Sequence, residues 1–267
     1  VIRGEDEQTA TALLWECGTS GIEVQPHAGG LALLSYFQDR PGLRRDLDQA
    51  LAHLSEAHVE PAEIRDVDWV ARFRESFRPF QVRGFTIAPA WNVPRVVAGR
   101  LLIVDPGRAF GTGTHETTRL CLRALEGLAA ARPLPRVVDI GTGSGILAVA
   151  AALLGSSCVV AVDNDPEASL AARRHAELNG VSLRVVRGDG GRALAPGSFD
   201  VVVANLTATL LQDRCRELAS LGAPGATLVL SGLLVEDLPG LRQRYEPLGH
   251  VAVETEGEWA ALLVSLA

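Results

Sequence analysis

The strongest constraint on the fold lies between Val137 and Gly232, where strand-length apolar runs alternate with helix-length segments. VVDI (137–140), VVAVD (159–163), LRVVRGD (183–189), FDVVVANL (199–206) and ATLVLSG (226–232) are rich in β-branched residues. Segments 118–130, 146–155, 166–179, 207–222 and 235–247 have helical length and patterning. Runs that stay apolar instead of alternating belong to strands covered on both faces, and strands that alternate with helices make a parallel sheet. The helix after Asp163 is signalled most clearly: Asp165 as N-cap, Pro166 at the first helical position, Glu167 in the first turn and Asn179-Gly180 at the end. Two more runs, 250–254 and 259–265, are close together and predict an antiparallel pair that finishes the sheet. The fold class is α/β, a doubly wound, mostly parallel, seven-stranded sheet.

A chain of 267 residues suits one large and one smaller domain. Residues 1–60 read as a small α/β unit. Asp6 to Cys17 is helical in pattern, 22–24 and 31–37 are strands, and Arg44 to Ala57 is an amphipathic helix with Leu47, Leu51 and Leu54 on one face. Val59 to Val67 predicts a further strand, and Val1-Ile2-Arg3 reads like the end of a clipped one. Residues 61–100 form a linker, with a helix from Asp68 and short extended pieces punctuated by Pro79, Gly84, Pro89 and Pro94; the hinge is placed within 58–80. Residues 101–267 make up the large domain, with a first short strand at 101–104.

Every one of the 25 basic residues is arginine, so neither a Schiff-base lysine nor a phosphate-loop lysine exists. A formal charge of −7 disfavours general nucleic-acid binding and suits docking of a basic partner. Cys17, Cys121, Cys158 and Cys215 are scattered, with neither zinc nor disulfide spacing, which fits a reducing cytoplasm. No apolar run has the length of a membrane span, and no leader pattern opens the chain. The expectation is a cytoplasmic monomer without a metal.

The chemistry begins at VVDIGTGSGILAVAAALLG, where strand 137–140 runs into Gly141-x-Gly143-x-Gly145 and then a helix. Glycines there let a ligand approach the backbone amides at the helix start. Asp163 closes the next strand roughly twenty residues on, where a carboxylate accepts the two hydroxyls of a ribose. The pattern resembles a dinucleotide fingerprint, but the spacing is G-x-G-x-G, and Asp139 stands on the strand where a pyrophosphate would lie. A carboxylate beside a diphosphate is repulsive by about 1 kcal/mol or more at ~4 Å, whereas beside a cation it is favourable. A nucleoside with a ribose, a positive charge and no phosphate satisfies both acids, and S-adenosyl-L-methionine has that constitution. The plainer alternative is that the glycines serve only helix–strand packing and both acids are solvated strand ends.

A second glycine-rich stretch, FGTGTHETT (110–118), lacks the lysine of a phosphate loop, and His115-Glu116 lacks the second histidine of a zinc-protease helix. By itself His115 reads as a capping or packing residue. DPGRAFGTGTHETT, VVDIGTGSGILAVAA, AVDNDPEA, VVVANL and EGEW occur in this order, with DWVARFRESFRPF and IAPAW upstream. Together they resemble the bacterial methyltransferases of large-subunit ribosomal protein eleven, the PrmA family. The resemblance implies a Rossmann-like, S-adenosylmethionine-dependent methyltransferase domain and a ferredoxin-like N-terminal domain that recognises the ribosomal protein. It further implies that loop 110–118, including Phe110, Thr114 and Thr118, folds over the cofactor. Gly141 and Gly143 would approach it, Asp163 would hold its ribose, and Asn205 would lie where cofactor and acceptor meet. Thr207 departs from the pattern, which implies a larger apolar or aromatic side chain there.

For the reaction, Asn205 and the Leu206 carbonyl are the candidates to orient an acceptor amine, of a lysine or of an N-terminus, with water taking the proton. The alternatives are a methyltransferase acting on another protein or a small amine, a nicotinamide-dependent oxidoreductase, and a binding module without chemistry.

Overall fold

The computed structural model describes residues 6–19, 21–27, 30–37, 40–52, 54, 60, 77–105 and 113–267. The chain divides into two compact units, residues 1–68 and 69–267.

In the first unit, α1 (Glu7–Glu16) precedes an antiparallel pair, β1 (Gly21–His27) and β2 (Gly30–Tyr36), and then α2 (Leu43–Leu51). Leucines at 47 and 51, one helical turn apart, are buried against Ala10 and Leu14 of α1, with Ile22, Leu31 and Leu33 of the strands alongside. The described residues thus supply an α-β-β-α centre. The strand read at 59–67, the one ending at Arg3 and the helix from Asp68 to Phe73 fall outside the described residues. Helix α2 stops at Leu51, short of the Ala57 that the sequence suggests.

Among the described residues the second unit begins with β3 (Phe80–Val82), β4 (Phe85–Pro89) and β5 (Arg100–Val104), which form their own three-stranded sheet. Their side chains Val82, Phe85, Ile87, Leu102 and Val104 are buried with Leu122 and Leu125 of α3 (Glu116–Ala131) and with α4 (Ile146–Leu153). The described part of the segment read as a linker is therefore part of this unit's core. The apolar residues between its prolines are what the sequence reading undervalued.

The main sheet has seven strands: β6 (Arg136–Ile140), β7 (Cys158–Asp163), β8 (Arg184–Arg187), β9 (Phe199–Asn205), β10 (Gly222–Leu234), β11 (Gly249–Glu256) and β12 (Trp259–Leu266). Their spatial order is β11-β12-β10-β9-β6-β7-β8. The run β10-β9-β6-β7-β8 is parallel, and β12 lies antiparallel to both neighbours. Alternate residues of each central strand feed two cores: Val137, Val201 and Val203 face α3 and α4, while Val138, Ile140, Val202 and Ala204 face the other layer. That layer contains α6 (Ala208–Asp213), α7 (Cys215–Leu221) and α8 (Leu238–Tyr245). The single helix suggested over 207–222 is broken at Arg214, and the one over 235–247 is α8 between single 3-10 turns at Val235–Asp237 and Glu246–Leu248. Helix α5 (Pro166–Leu178) begins as its sequence signals, with the Asp165 carboxylate accepting from the Glu167 N–H at 2.8 Å.

The chain enters this sheet at its centre, at β6, adds β7 and β8 on one side, and then returns to place β9 on the other. The carboxyl ends of β6 and β9 therefore flank a topological switch point, where sheets of this type leave a crevice.

Candidate active site

At the end of β6 the backbone turns through Gly141, Gly143 and Gly145, with φ of 72°, 54° and 83°. This left-handed region costs any residue with a Cβ about 1 kcal/mol or more. Gly145 is also pressed against α5, since a Cβ there would lie 2.7 Å from the Ala172 Cα. The N–H groups of Gly141 and Thr142 donate to the Val162 carbonyl at 2.9 and 3.0 Å, tying the loop to β7. Asp163 completes the tie: one carboxylate oxygen accepts the Gly143 N–H at 2.9 Å and the other the Asp165 N–H at 3.0 Å. Each oxygen keeps a second lone pair, and the half-buried side chain stands at the rim of the sheet. Asp163 can thus brace the loop and still accept hydrogen bonds from a ligand.

Asp139 occupies a deeper position than its strand-end place in the sequence suggests. It is 1% exposed and accepts a hydrogen bond from the Thr142 hydroxyl at 2.6 Å. Burial pushes its carboxyl up to about 6; Thr142 and the Ala148 amide pull the other way, and the charge of Asp163 adds to the rise. The buried Cys121 of α3, whose thiol is raised mainly by burial, also feels this carboxylate. Asp139 is therefore a buried acid beneath the glycine loop, able to carry its charge at low cost only when a cation or further donors approach.

The loop 110–118 is described from Gly113 onward, and Phe110 lies outside the described residues. Thr114 is exposed, and its carbonyl accepts from the Arg119 guanidinium. His115 is the N-cap of α3, its Nδ1 accepting the Thr117 N–H at 3.3 Å and lying 2.9 Å from the Thr117 hydroxyl. Its ring meets Trp259 edge-on, with centroids 4.7 Å apart. Thr117 and Thr118 are both 1% exposed, so they face the protein and not the solvent.

Asn205 ends β9, and its side-chain amide donates to the Thr117 hydroxyl at 3.2 Å. Leu206 donates its N–H to the Ser231 carbonyl at 2.9 Å and lays its side chain over Gly141, where a Cβ would lie 2.5 Å from Leu206 Cδ2. The carboxyl ends of β6 and β9 are thereby packed together. Thr207 is exposed at the start of α6, so this wall of the crevice is open. Gly232, with φ of 89°, sits at a bulge of β10, and a Cβ there would collide with the Leu206 carbonyl and approach Asn205 Oδ1 to 3.0 Å.

The β11–β12 turn clamps the start of α3. Glu256 accepts from Arg119 Nε at 2.7 Å and pairs with Arg123, while Arg119 also bridges to Glu116 at 2.8 Å. Partial burial raises the Glu256 carboxyl, but the two arginines more than offset this and hold it below the ordinary carboxylate range. Among the described residues no group of three or more His, Cys, Asp or Glu side chains is placed to hold a metal ion. Nor is any helix among them long and apolar enough to cross a membrane.

A family model described as ribosomal protein L11 methyltransferase (PrmA) matches residues 3–266. The chain belongs to this family. Its relatives include the ribosomal protein L11 methyltransferase of Geobacter metallireducens, 44% identical over 262 residues, covering 93% of this chain and 86% of that one. The enzyme of the same name from Geobacter sulfurreducens is 46% identical over 204 residues, covering 75% of this chain and 67% of its own. Among solved structures, the ribosomal protein L11 methylase of Lactobacillus delbrueckii subsp. bulgaricus superposes with a TM-score of 0.64 at 33% identity, over 71% of this chain and 99% of that one. The Rossmann-like methyltransferase fold of the second unit agrees with this membership.

Within the PrmA frame, Asp139, Gly141, Gly143, Asp163, Asn205, Leu206 and the start of α3 meet at one edge of the sheet. Sequence reasoning did not single out Thr117, Gly232 or the Glu256–Arg119 clamp. EGEW was the only signal for the last of these, and it appears as a motif without revealing which helix it grips.

Proposed function

We propose that this protein transfers methyl groups from S-adenosyl-L-methionine to amines of ribosomal protein L11, on lysine side chains and at the N-terminus. The observation that carries the reading is the meeting of a rim carboxylate, Asp163, and a buried one, Asp139, around bare glycine backbone at the switch point, in a chain of the PrmA family. The donor set fits the cofactor. Asp163 has lone pairs to offer a ribose, Asp139 favours a nearby cation, and the lysine-free loop 110–118 suits a ligand without phosphate.

S-adenosylmethionine supplies a methyl group already activated on a sulfonium. The chain's own residues supply alignment and a deprotonated acceptor. A lysine amine, with a pKa near ~10.4 in water, must lose its proton before it can attack, and desolvation in the crevice lowers that value. Asn205 Oδ1 and the Leu206 carbonyl would accept the remaining N–H bonds and aim the nitrogen lone pair, with the proton passing to water. Gly141 and Gly143 would lie against the cofactor, and Phe110 and Thr114 would cover it. Thr118, at the start of α3, would be among the cofactor contacts.

Residues 1–60 would recognise the ribosomal protein, and the second unit, which takes in β3 and β4 from the segment read as a linker, would carry out methyl transfer. An acidic chain, −7 in formal charge, suits a basic ribosomal protein and disfavours direct contact with nucleic acid. The protein would act in the cytoplasm, as a monomer. Calorimetry tests the cofactor choice: binding of S-adenosylmethionine and not of a nicotinamide dinucleotide is expected, and the opposite preference would overturn the reading.

A further inference from the structure

We infer that Thr117 is a positioning residue that fixes which end of the Asn205 amide faces the acceptor amine. This rests on the activity proposed above. His115 Nδ1 accepts the backbone N–H of Thr117 at 3.3 Å and so presents a lone pair on that side. The Thr117 hydroxyl, 2.9 Å from the same nitrogen, is then the donor in that pair. A hydroxyl has one proton. With that proton committed to His115, Thr117 Oγ1 has only lone pairs left for Asn205, 3.2 Å away, and only the NH2 end of the amide can satisfy them.

The consequence falls on the other end of the amide. Asn205 Oδ1 faces Gly232: a Cβ there would stand 3.0 Å from it and would collide with the Leu206 carbonyl oxygen. Two acceptors thus open onto the same bare stretch of backbone, an arrangement that receives a neutral amine. A rotated amide would put NH2 there instead, opposing the N–H bonds of that amine. The chain His115–Thr117–Asn205 is anchored at its far end by Trp259 against the imidazole ring. Asn205 supplies the contact to the substrate, and Thr117 selects the orientation in which it does so.

The test compares Thr117→Val, which keeps the shape and loses the hydroxyl, with Thr117→Ser, which restores it. Full-length variants would be assayed with ribosomal protein L11 under single turnover, with cofactor affinity by calorimetry, thermal melting, and amide-proton NMR of the Asn205 side chain assigned by its loss in Asn205→Ala. Thr117→Val is expected to slow methyl transfer by about tenfold or more, with cofactor Kd changed by less than about threefold. Thr117→Ser is expected to recover most of the rate. The Asn205 amide protons should be sharp in wild type and Thr117→Ser and broadened in Thr117→Val. A Thr117→Val enzyme that keeps its rate while wild type methylates the substrate overturns the positioning role alone. Equal loss of cofactor affinity and rate, or no rescue by serine, overturns it as well. Failure of wild type to methylate overturns the activity reading and the inference with it.

Discussion

Replacing Asp139 by asparagine isolates the energetic consequence of burying an acid under the glycine loop. The side chain is 1% exposed, and its carboxyl is raised from an ordinary 3.8 to about 6. A folded-state pKa above the unfolded one means that the folded chain holds the proton more tightly. The stability that this group contributes is therefore fully present below pH 3.8 and is lost as pH rises through about 6. The loss amounts to about 3 kcal/mol, from a little over two pKa units at ~1.36 kcal/mol each. Asparagine cannot ionise, so Asp139→Asn lacks that loss, and any fixed offset from exchanging an oxygen for an NH2 does not vary with pH. Urea unfolding of the ligand-free wild type and variant at half-unit steps from pH 4 to 8 gives the difference between them directly. Part of the change already lies below pH 4, so that difference is expected to shift toward the variant by about 2 kcal/mol between pH 4 and 7 and then to level off. A difference that stays constant with pH would show that folding does not raise the Asp139 pKa. The same carboxylate should make wild-type affinity for a cationic cofactor fall as pH drops below about 6, a dependence that Asp139→Asn should abolish.

Three other substitutions probe the rim. Asp163→Ala removes the acceptor for the Gly143 and Asp165 N–H groups along with the proposed ribose contact, and calorimetry should show cofactor affinity reduced by about 100-fold or more. Unchanged affinity would remove the ribose assignment. Asn205→Ala should lower turnover more than cofactor affinity in paired kinetic and binding measurements, and equal loss of both would argue against amine orientation. Gly232→Ala forces a Cβ into a left-handed residue and against the Leu206 carbonyl; melting should report destabilisation of about 1–3 kcal/mol, with slower methyl transfer. A variant with wild-type melting and rate would show that bare backbone is not needed there.

The main sheet was legible because its strands are written as β-branched runs and its helices carry their own stops. Asp165-Pro166 starts α5 where the structure starts it, and the short spacing of 250–254 and 259–265 did mark an antiparallel pair. The glycine loop and Asp163 were legible for the same reason, since their geometry is fixed by neighbours in sequence. What could not be read depends on distant partners. The depth of Asp139 follows from α3 and α4 covering that face of β6. The break at Arg214 carries no glycine or proline to announce it. Pairing of Glu256 with Arg119 and Arg123 joins residues more than a hundred positions apart. His115, read as a capping or packing residue, does cap the helix that follows FGTGTHETT, but nothing in that stretch announced that Thr117 and Thr118 turn inward. A hydroxyl's partner is set by tertiary contacts that no local spacing encodes.

Whether this protein methylates ribosomal protein L11 is decided by mass spectrometry of L11 after incubation with it. Mass gains in whole methyl steps, mapped to lysine side chains or the N-terminal amine, are expected only when S-adenosylmethionine is supplied and should vanish in Asp163→Ala. An L11 of unchanged mass after incubation with folded, cofactor-bound protein would contradict this activity.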